Sequence, residues 1–287
     1  MSPKRTSLFI VVPVFNNWKD TRECLAGLKG QTYSDFRLLV ADDGSDEPAP
    51  ADFFADARIE CLRYPHAGFA TNCNRAAEYA LSRAATHLLF LNCDTLMDEG
   101  LLGGLLEQLG DEPKAAISPV IYWARKPRDV WFSGGGFSWW TAFGRRKRRY
   151  LVTTPVDILC GCCLLVTSTA WRATRGFDER FSTYYEDFDW ALRARREGVR
   201  LLVAPACGIQ HKVSWAGSKE SWPRHYLLIR GALLFIRRHY RPPLRWALLA
   251  LKLMHLVWFV GALLPRFPEA RPLYAALRDG LSLKLDS

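Results

Sequence analysis

Apolar runs at residues 8–14, 36–41, 59–64 and 87–91 alternate with stretches of helical periodicity at about 18–29, 69–84 and 98–109. Strand-like and helix-like segments taking turns in this way predict a doubly wound α/β domain with a mostly parallel sheet flanked by helices. A hydrophobic content of 49% in 287 residues is enough for one large core, or for two lobes sharing a sheet, and excludes a disordered chain. In such sheets ligands bind beyond the carboxyl ends of the strands. Asp42-Asp43-Gly44-Ser45 and Asn92-Cys93-Asp94-Thr95 follow directly on the second and fourth runs, so their acids are expected to face one crevice.

Downstream of residues 115–123 the pattern becomes irregular, passing through Ser133-Gly134-Gly135-Gly136 to Trp139-Trp140 and a basic run at 145–149. This reads as a loop. A strand-like run at 157–167 and a helical turn at 169–174 precede a third acidic cluster that ends in Glu186-Asp187-Phe188-Asp189. Helical periodicity then covers 187–197, with Gly198 as its stop. Three acid clusters, two of them at strand ends, are the layout of an enzyme that grips a metal-bound diphosphate and removes a proton beside it.

The net charge of +10 is unevenly placed. The run at 145–149 is all Arg and Lys, and residues 223–287 hold 11 Lys/Arg against 3 Asp/Glu, which leaves the rest of the chain slightly acidic. Basic charge confined to a loop and a tail fits phospholipid head groups or a lipid diphosphate. Nucleic acid is not an expected partner, since no recognition motif accompanies the basic run. Eight cysteines lie mostly within apolar segments rather than at the spacing of a disulfide framework, which points to a reducing cytoplasm. Cys160-Gly161-Cys162-Cys163 lacks a second Cys/His pair at zinc-finger spacing and reads as buried thiols. No signal peptide is read at the N-terminus. Two helices are expected at about 222–239 and 244–264. The second has only nine uninterrupted apolar residues, 256–264, too few to span a bilayer. It is expected either to lie in the membrane interface, with Trp246 and Trp258 as anchors, or to pack on the protein.

The motifs Val11-Val12-Pro13-Val14-Phe15-Asn16, Val40-Ala41-Asp42-Asp43-Gly44-Ser45, Gly68-Phe69-Ala70-Thr71-Asn72-Cys73-Asn74, Leu91-Asn92-Cys93-Asp94-Thr95 and Gly176-Phe177-Asp178-Glu179-Arg180-Phe181, continued by Tyr185-Glu186-Asp187-Phe188-Asp189, stand in this order. Over about residues 7–240 the chain resembles the family 2 inverting glycosyltransferases of GT-A fold, and within them the bacterial rhamnosyltransferase-type branch. The resemblance implies a Rossmann-like sheet with a C-terminal helical extension. It divides the chain into a nucleotide-sugar-binding half at 1–110, an acceptor and catalytic half at 111–221 and a membrane-associating segment at 222–287. It implies transfer of a sugar from a dTDP- or UDP-sugar, dTDP-rhamnose among them, to a glycan or lipid-linked acceptor of bacterial surface polysaccharide. The setting would be the inner face of the cytoplasmic membrane.

Residue by residue, Asp94 matches the end of the family's Asp-X-Asp motif and would bind a divalent cation, Mg or Mn, that neutralises the leaving diphosphate. Asn92 stands where the first acid of that motif is expected. His211 resembles the histidine that some members bring to the metal, although a lone histidine is equally a structural residue. Asp43 corresponds to the base-reading acid, while Asp42 is open to capping the turn as well as to binding. Pro13 and Phe15 would wall the base or simply pack at the strand end. Asn74 would help hold the ribose or diphosphate, or merely mark a helix start. Gly161 allows close approach to the sugar or acceptor, with a strand bulge as the alternative. Asp187 corresponds to the general base that takes the acceptor's proton during a direct, inverting displacement. Glu186 and Asp189 would orient the acceptor or cap the helix, and for Asp189 capping or a salt bridge to Arg193 at i+4 is the expected role. Trp139 and Trp140, with the basic run, would close over the diphosphate or meet a lipid-linked acceptor. Asn92 also keeps open a catalytically weak nucleotide-binding scaffold on the same fold. A dinucleotide-dependent oxidoreductase is disfavoured because Pro13-Val14-Phe15-Asn16-Asn17 replaces a glycine-rich turn after the first strand.

Overall fold

The apolar runs fold as strands β1 (Leu8–Val14), β2 (Phe36–Asp42), β3 (Ile59–Arg63) and β4 (His87–Leu91). β1 pairs in parallel with β2 and with β4, and β2 with β3. Strands covered on both faces need no polar alternation, and every residue of β1 is buried. Helices α1 (Trp18–Lys29) and α2 (Phe69–Ser82) make the connections. α2 lies close on the sheet because the stripe it buries is built of small residues, Ala70, Cys73, Ala76, Ala77 and Ala80.

These features come from a computed structural model, which describes residues 6–136, 144–145, 150–213, 222–263 and 271–282. The remaining elements are β5 (Thr95–Met97), α3 (Leu101–Leu109), β6 (Ala115–Trp123), β7 (Lys126–Phe132), the two-residue strands β8 (Gly135–Gly136), β9 (Gly144–Arg145) and β10 (Thr154–Pro155), β11 (Cys163–Thr167), α4 (Ser168–Thr174), α5 (Glu186–Arg196) and β12 (Arg200–His211), then α6 (Trp222–His239), α7 (Leu244–Leu263) and α8 (Arg271–Ser282). The main sheet has the order β10-β12-β6-β11-β4-β1-β2-β3, with β5 on β12 and β7 on β6. β6 and β12 are parallel, whereas β11 runs against both β4 and β6. The fold is therefore α/β with a mostly parallel sheet, as the alternation of runs predicts.

From β1 the chain winds outward through β2 and β3, then returns to place β4 on the other side of β1. That reversal opens a crevice beyond the carboxyl ends of β1 and β4. Because β11 is antiparallel, its first residue, Cys163, pairs with the last of β4, Leu91, and carries residues 160–162 to the same edge. The carboxyl end of β12, Ile209 to His211, aligns with Ile121 to Trp123 of β6 and also reaches that edge.

Three boundaries differ from the sequence expectation. The third helix begins at Leu101 rather than at 98, since the Asp98 N–H goes to the Gly208 carbonyl and prolongs the pairing of residues 95–97 with β12. The strand expected at 157–167 is confined to Cys163–Thr167, since the Gly161 N–H turns aside to a side chain of α5. The stretch after Trp123 is not irregular at first: β7 doubles back on β6. Its exposed Lys126, Pro127 and Arg128 disguise it as a loop, and they are what an edge strand requires.

By contacts the chain divides into two units, Met1–Glu179 with Glu186–Ala216, and Arg180–Tyr185 with Gly217–Ser287. The first contains the sheet and helices α1 to α5. In the second, α6 packs on α8, a helix the sequence reading did not anticipate. The Tyr226 hydroxyl donates to Asp279 at 2.6 Å and Arg237 to the Gly280 carbonyl at 3.0 Å. Arg230 holds the carbonyls of Arg180 and Phe181, and Tyr185 packs its ring against Phe235. Among the described residues no helix is long and apolar enough to cross a membrane.

Candidate active site

Val14, the last residue of β1, accepts the Asp43 N–H at 2.9 Å and so fixes the turn after β2. Asp42 is fully buried. One of its oxygens accepts the Ser45 N–H at 2.9 Å, and the other faces the Arg63 guanidinium at 3.5 Å. Asp42 is thus the turn cap, the structural member of the pair. The Asp43 carboxylate lies at the N-terminus of α2, accepting the N–H groups of Ala67 at 2.9 Å and Gly68 at 3.0 Å. His66 Nδ1 approaches the same carboxylate to 2.8 Å, and the imidazole stacks on Phe15 with ring centroids 4.4 Å apart. Pro13 is buried in the sheet, in register with Ala41. Phe15 is exposed, so the aromatic surface at this corner is Phe15 with His66. The sequence reading missed His66; its place two residues before the Gly68 helix start was the available signal.

At the next strand end, the Asn92 N–H donates to the Cys162 carbonyl at 2.8 Å and the Asn92 carbonyl accepts the Thr95 hydroxyl. Asp94 is buried and sits 3.0 Å from His211 Nε2. The Asp94 carbonyl also accepts the Lys212 N–H, which ties the end of β12 to the end of β4. His211 stands edge-on to Trp131 at 4.4 Å, and its buried Nδ1 has no hydrogen-bond partner. Lys212 then bridges to Asp20 at 2.8 Å and Glu23 at 2.7 Å on α1. The structure thus brings together the two residues, 117 positions apart, that the sequence pairs as metal ligands. A carboxylate oxygen and an imidazole nitrogen at 3.0 Å match neighbouring ligands of a six-coordinate ion with bonds of about 2.1 Å. Among the described residues no group of three or more His, Cys, Asp or Glu side chains suits a metal. The pair therefore fits an ion of the Mg or Mn kind that takes its remaining ligands from substrate phosphates and water.

The acids of the third cluster divide sharply. Asp187 is half-buried, with one oxygen accepting the Gly161 N–H at 3.1 Å and the other its neighbour Phe188 N–H at 2.8 Å. Glu186 is buried and its Oε2 has no hydrogen-bond partner. Burial, and then the charge of Asp187, push its pKa well above the usual carboxylate range. Asp189 is fully buried and pairs with Arg193 at 2.7 Å, the i,i+4 bridge that the sequence offers beside helix capping. Asn74 is engaged by the chain itself: its amide donates to the Phe177 carbonyl at 2.9 Å and accepts the Phe177 N–H at 2.9 Å. It positions the segment that carries the acids. Gly176, at φ +70°, lies so close that a Cβ there would sit 2.6 Å from Asn74 Oδ1.

The corner residues are linked by contact. Gly161 lies beside Asp187 and Phe69, the first residue of α2, and Gly68 before it is held by Asp43. Cys162, next to Gly161, is bonded to Asn92. Cys73 of α2 is buried there too, and burial raises its thiol pKa well above the ordinary range. All eight cysteines are free. Trp139, Trp140 and the basic residues at 146–149 lie outside the described residues.

The family model described as Glycosyl transferase family 2 matches residues 9–172. The chain is 28% identical over 213 residues to a pre-mycofactocin glycosyltransferase of Mycobacterium tuberculosis, covering 73% of this chain and 43% of that protein. It thus spans less than half the length of that relative. It is 27% identical over 264 residues to an N-acetylglucosaminyl-diphospho-decaprenol L-rhamnosyltransferase of the same organism, covering 78% and 83% of the two chains. Among solved structures, a mannosyltransferase from Pyrobaculum calidifontis in complex with GDP-Man and Mn2+ superimposes with a TM-score of 0.59 at 16% identity, over 96% of this chain and 87% of that one. This likeness shows the fold, the GT-A arrangement.

Proposed function

The chain belongs to glycosyl transferase family 2, and from that premise we propose that it moves a sugar from a nucleoside-diphosphate donor, UDP or dTDP linked, to a hydroxyl of a glycan or lipid-linked acceptor, with inversion. The observation that carries this reading is the linked row of groups along one sheet edge, from Asp43 through Gly68 and Phe69 to Gly161 and Asp187, with Asn92 joined to it through Cys162.

The Phe15 and His66 rings offer a stacking surface for the base, and the α2 N-terminus beside Asp43 offers main-chain dipoles to the ribose and diphosphate. Asp94 and His211 would hold a divalent cation, which supplies positive charge to the leaving diphosphate. Asp187, aimed by the Gly161 and Phe188 N–H groups, takes the proton of the attacking hydroxyl. The raised pKa of Glu186 beside it favours the neutral carboxyl, which would add no second negative charge where the acceptor oxygen must approach. One base and one in-line displacement account for inversion without a covalent intermediate. The lipid-linked acceptor named for the decaprenol relative, and the basic C-terminal helices, favour a place at the inner face of the cytoplasmic membrane, in surface polysaccharide synthesis.

Asn92, where the motif expects an acid, favours a second reading: a nucleotide-binding scaffold with weak turnover. Asp187→Asn separates the two. We expect transfer from a panel of UDP- and dTDP-sugars to fall by about 10²–10⁴-fold while nucleotide affinity stays within about twofold of wild type. Wild type that binds nucleotide but transfers no sugar at all would favour the scaffold.

A further inference from the structure

α7 is amphipathic the wrong way round. At 100° per residue, Trp246, Ala247, Ala250, Leu251 and Met254 fall within an arc of about 140°, and all five are exposed. The exposures of Trp246 (63%), Leu251 (54%) and Met254 (66%) are those expected of charged side chains on a surface helix. The charges lie opposite instead. Arg245 and Lys252 share the far side of the helix with the buried Leu248 and Leu249. Arg245 donates to the Tyr240 carbonyl at 2.6 Å, and burial lowers the Lys252 pKa. Water is therefore not the medium that selected the exposed face.

Charge decides what covers it. From Trp222 to Leu263 the chain has seven Lys/Arg and no Asp or Glu. Arg230, Arg237 and Arg245 are bonded to main-chain carbonyls, and Asp279 of α8 offsets only part of this positive charge. A second copy of this surface would bring cation against cation. An anionic lipid surface supplies the counter-charge at its head groups and an apolar medium just beneath them.

We infer that α7 lies in the plane of an anionic bilayer, with the stripe from Trp246 to Met254 immersed at the acyl boundary and the positive charge of α6 and the α6–α7 turn drawing it to the head groups. This deepens the membrane-side part of the reading above by naming the face and the lipid chemistry. It does not depend on sugar transfer.

The test is co-sedimentation of the full chain with vesicles of phosphatidylcholine alone or with about one third phosphatidylglycerol. Partition should rise by at least about tenfold with the anionic lipid and fall as salt is raised. The variant Trp246→Ser/Leu251→Ser/Met254→Ser should lose about tenfold. Leu151→Ser, which removes a 97% exposed side chain elsewhere, should partition like wild type. Ala250→Lys places one charge at the centre of the stripe on an already exposed position and should weaken partition without altering the thermal midpoint. UDP and dTDP binding, measured on the same samples, should be unchanged in every stripe variant, so failure of the lipid inference and failure of the transferase reading are distinguishable. Absence of binding to anionic vesicles at low salt, equal partition of the stripe variants, or a concentration-dependent dimer that Ala250→Lys dissociates would each overturn the inference.

Discussion

Glu186 and Asp187 are neighbours in the chain with opposite surroundings. The first is buried without a partner for Oε2, and the second is half-buried with two N–H donors. A carboxyl whose folded pKa is raised stabilises the fold below its ordinary value of about 4.3 and loses that contribution as pH climbs through the folded value. Glu186→Gln keeps the neutral form at every pH. Its unfolding free energy relative to wild type should therefore rise between pH 4 and pH 8, as read by urea denaturation; a constant difference would mean that Glu186 is not protonated in the fold. His66 makes a separate point. It joins Phe15 in a stack and caps the carboxylate of Asp43, so His66→Ala should weaken UDP or dTDP binding by about 1 kcal/mol, near fivefold, by calorimetry. Unchanged affinity would remove it from the base site. Asp43, Asp94 and Asp187 were readable as candidates because acids after apolar runs stand out. The state of Glu186 and the partner of Asp43 were not, since both depend on what the fold buries beside them.

Helix α5 carries the proposed base, and a buried ion pair adds to the apolar face that holds it on the sheet unit. Arg193 binds the fully buried Asp189 and the carbonyls of Thr174 and Gly176, so it ties α5 to the end of α4 and to the acidic segment that follows. Arg193→Ala breaks the ion pair of a buried carboxylate and should cost about 3–5 kcal/mol in chemical denaturation. A loss below about 1 kcal/mol would show the pair to be incidental. The strands of the parallel half were legible because burial on both faces writes itself as unbroken apolar runs. β7 and the shortened β11 were not, for contrary reasons: an edge strand is as polar as a loop, and residues 157–162 are as apolar as a strand although their main chain serves the site. α8 escaped notice because only its pairing with α6 marks it out.

The fold places acids from three distant stretches on one sheet edge through three topological facts: the reversal at β1 and β4, the antiparallel insertion of β11, and the return of β12 to the end of β6. Sequence order supplies the first, but the register that sets His211 against Asp94 is a property of the assembled sheet. Family membership gives sugar transfer, and the proposed role of the Asp94–His211 pair is to hold the donor site's cation. Calorimetric titration of UDP and dTDP, with and without Mn2+, into wild type and Asp94→Ala tests that link most directly. The account predicts that Mn2+ tightens wild-type binding of at least one nucleotide by about tenfold or more and that Asp94→Ala erases the gain while leaving metal-free binding intact. An equal Mn2+ gain in both proteins, or none in wild type, would contradict it.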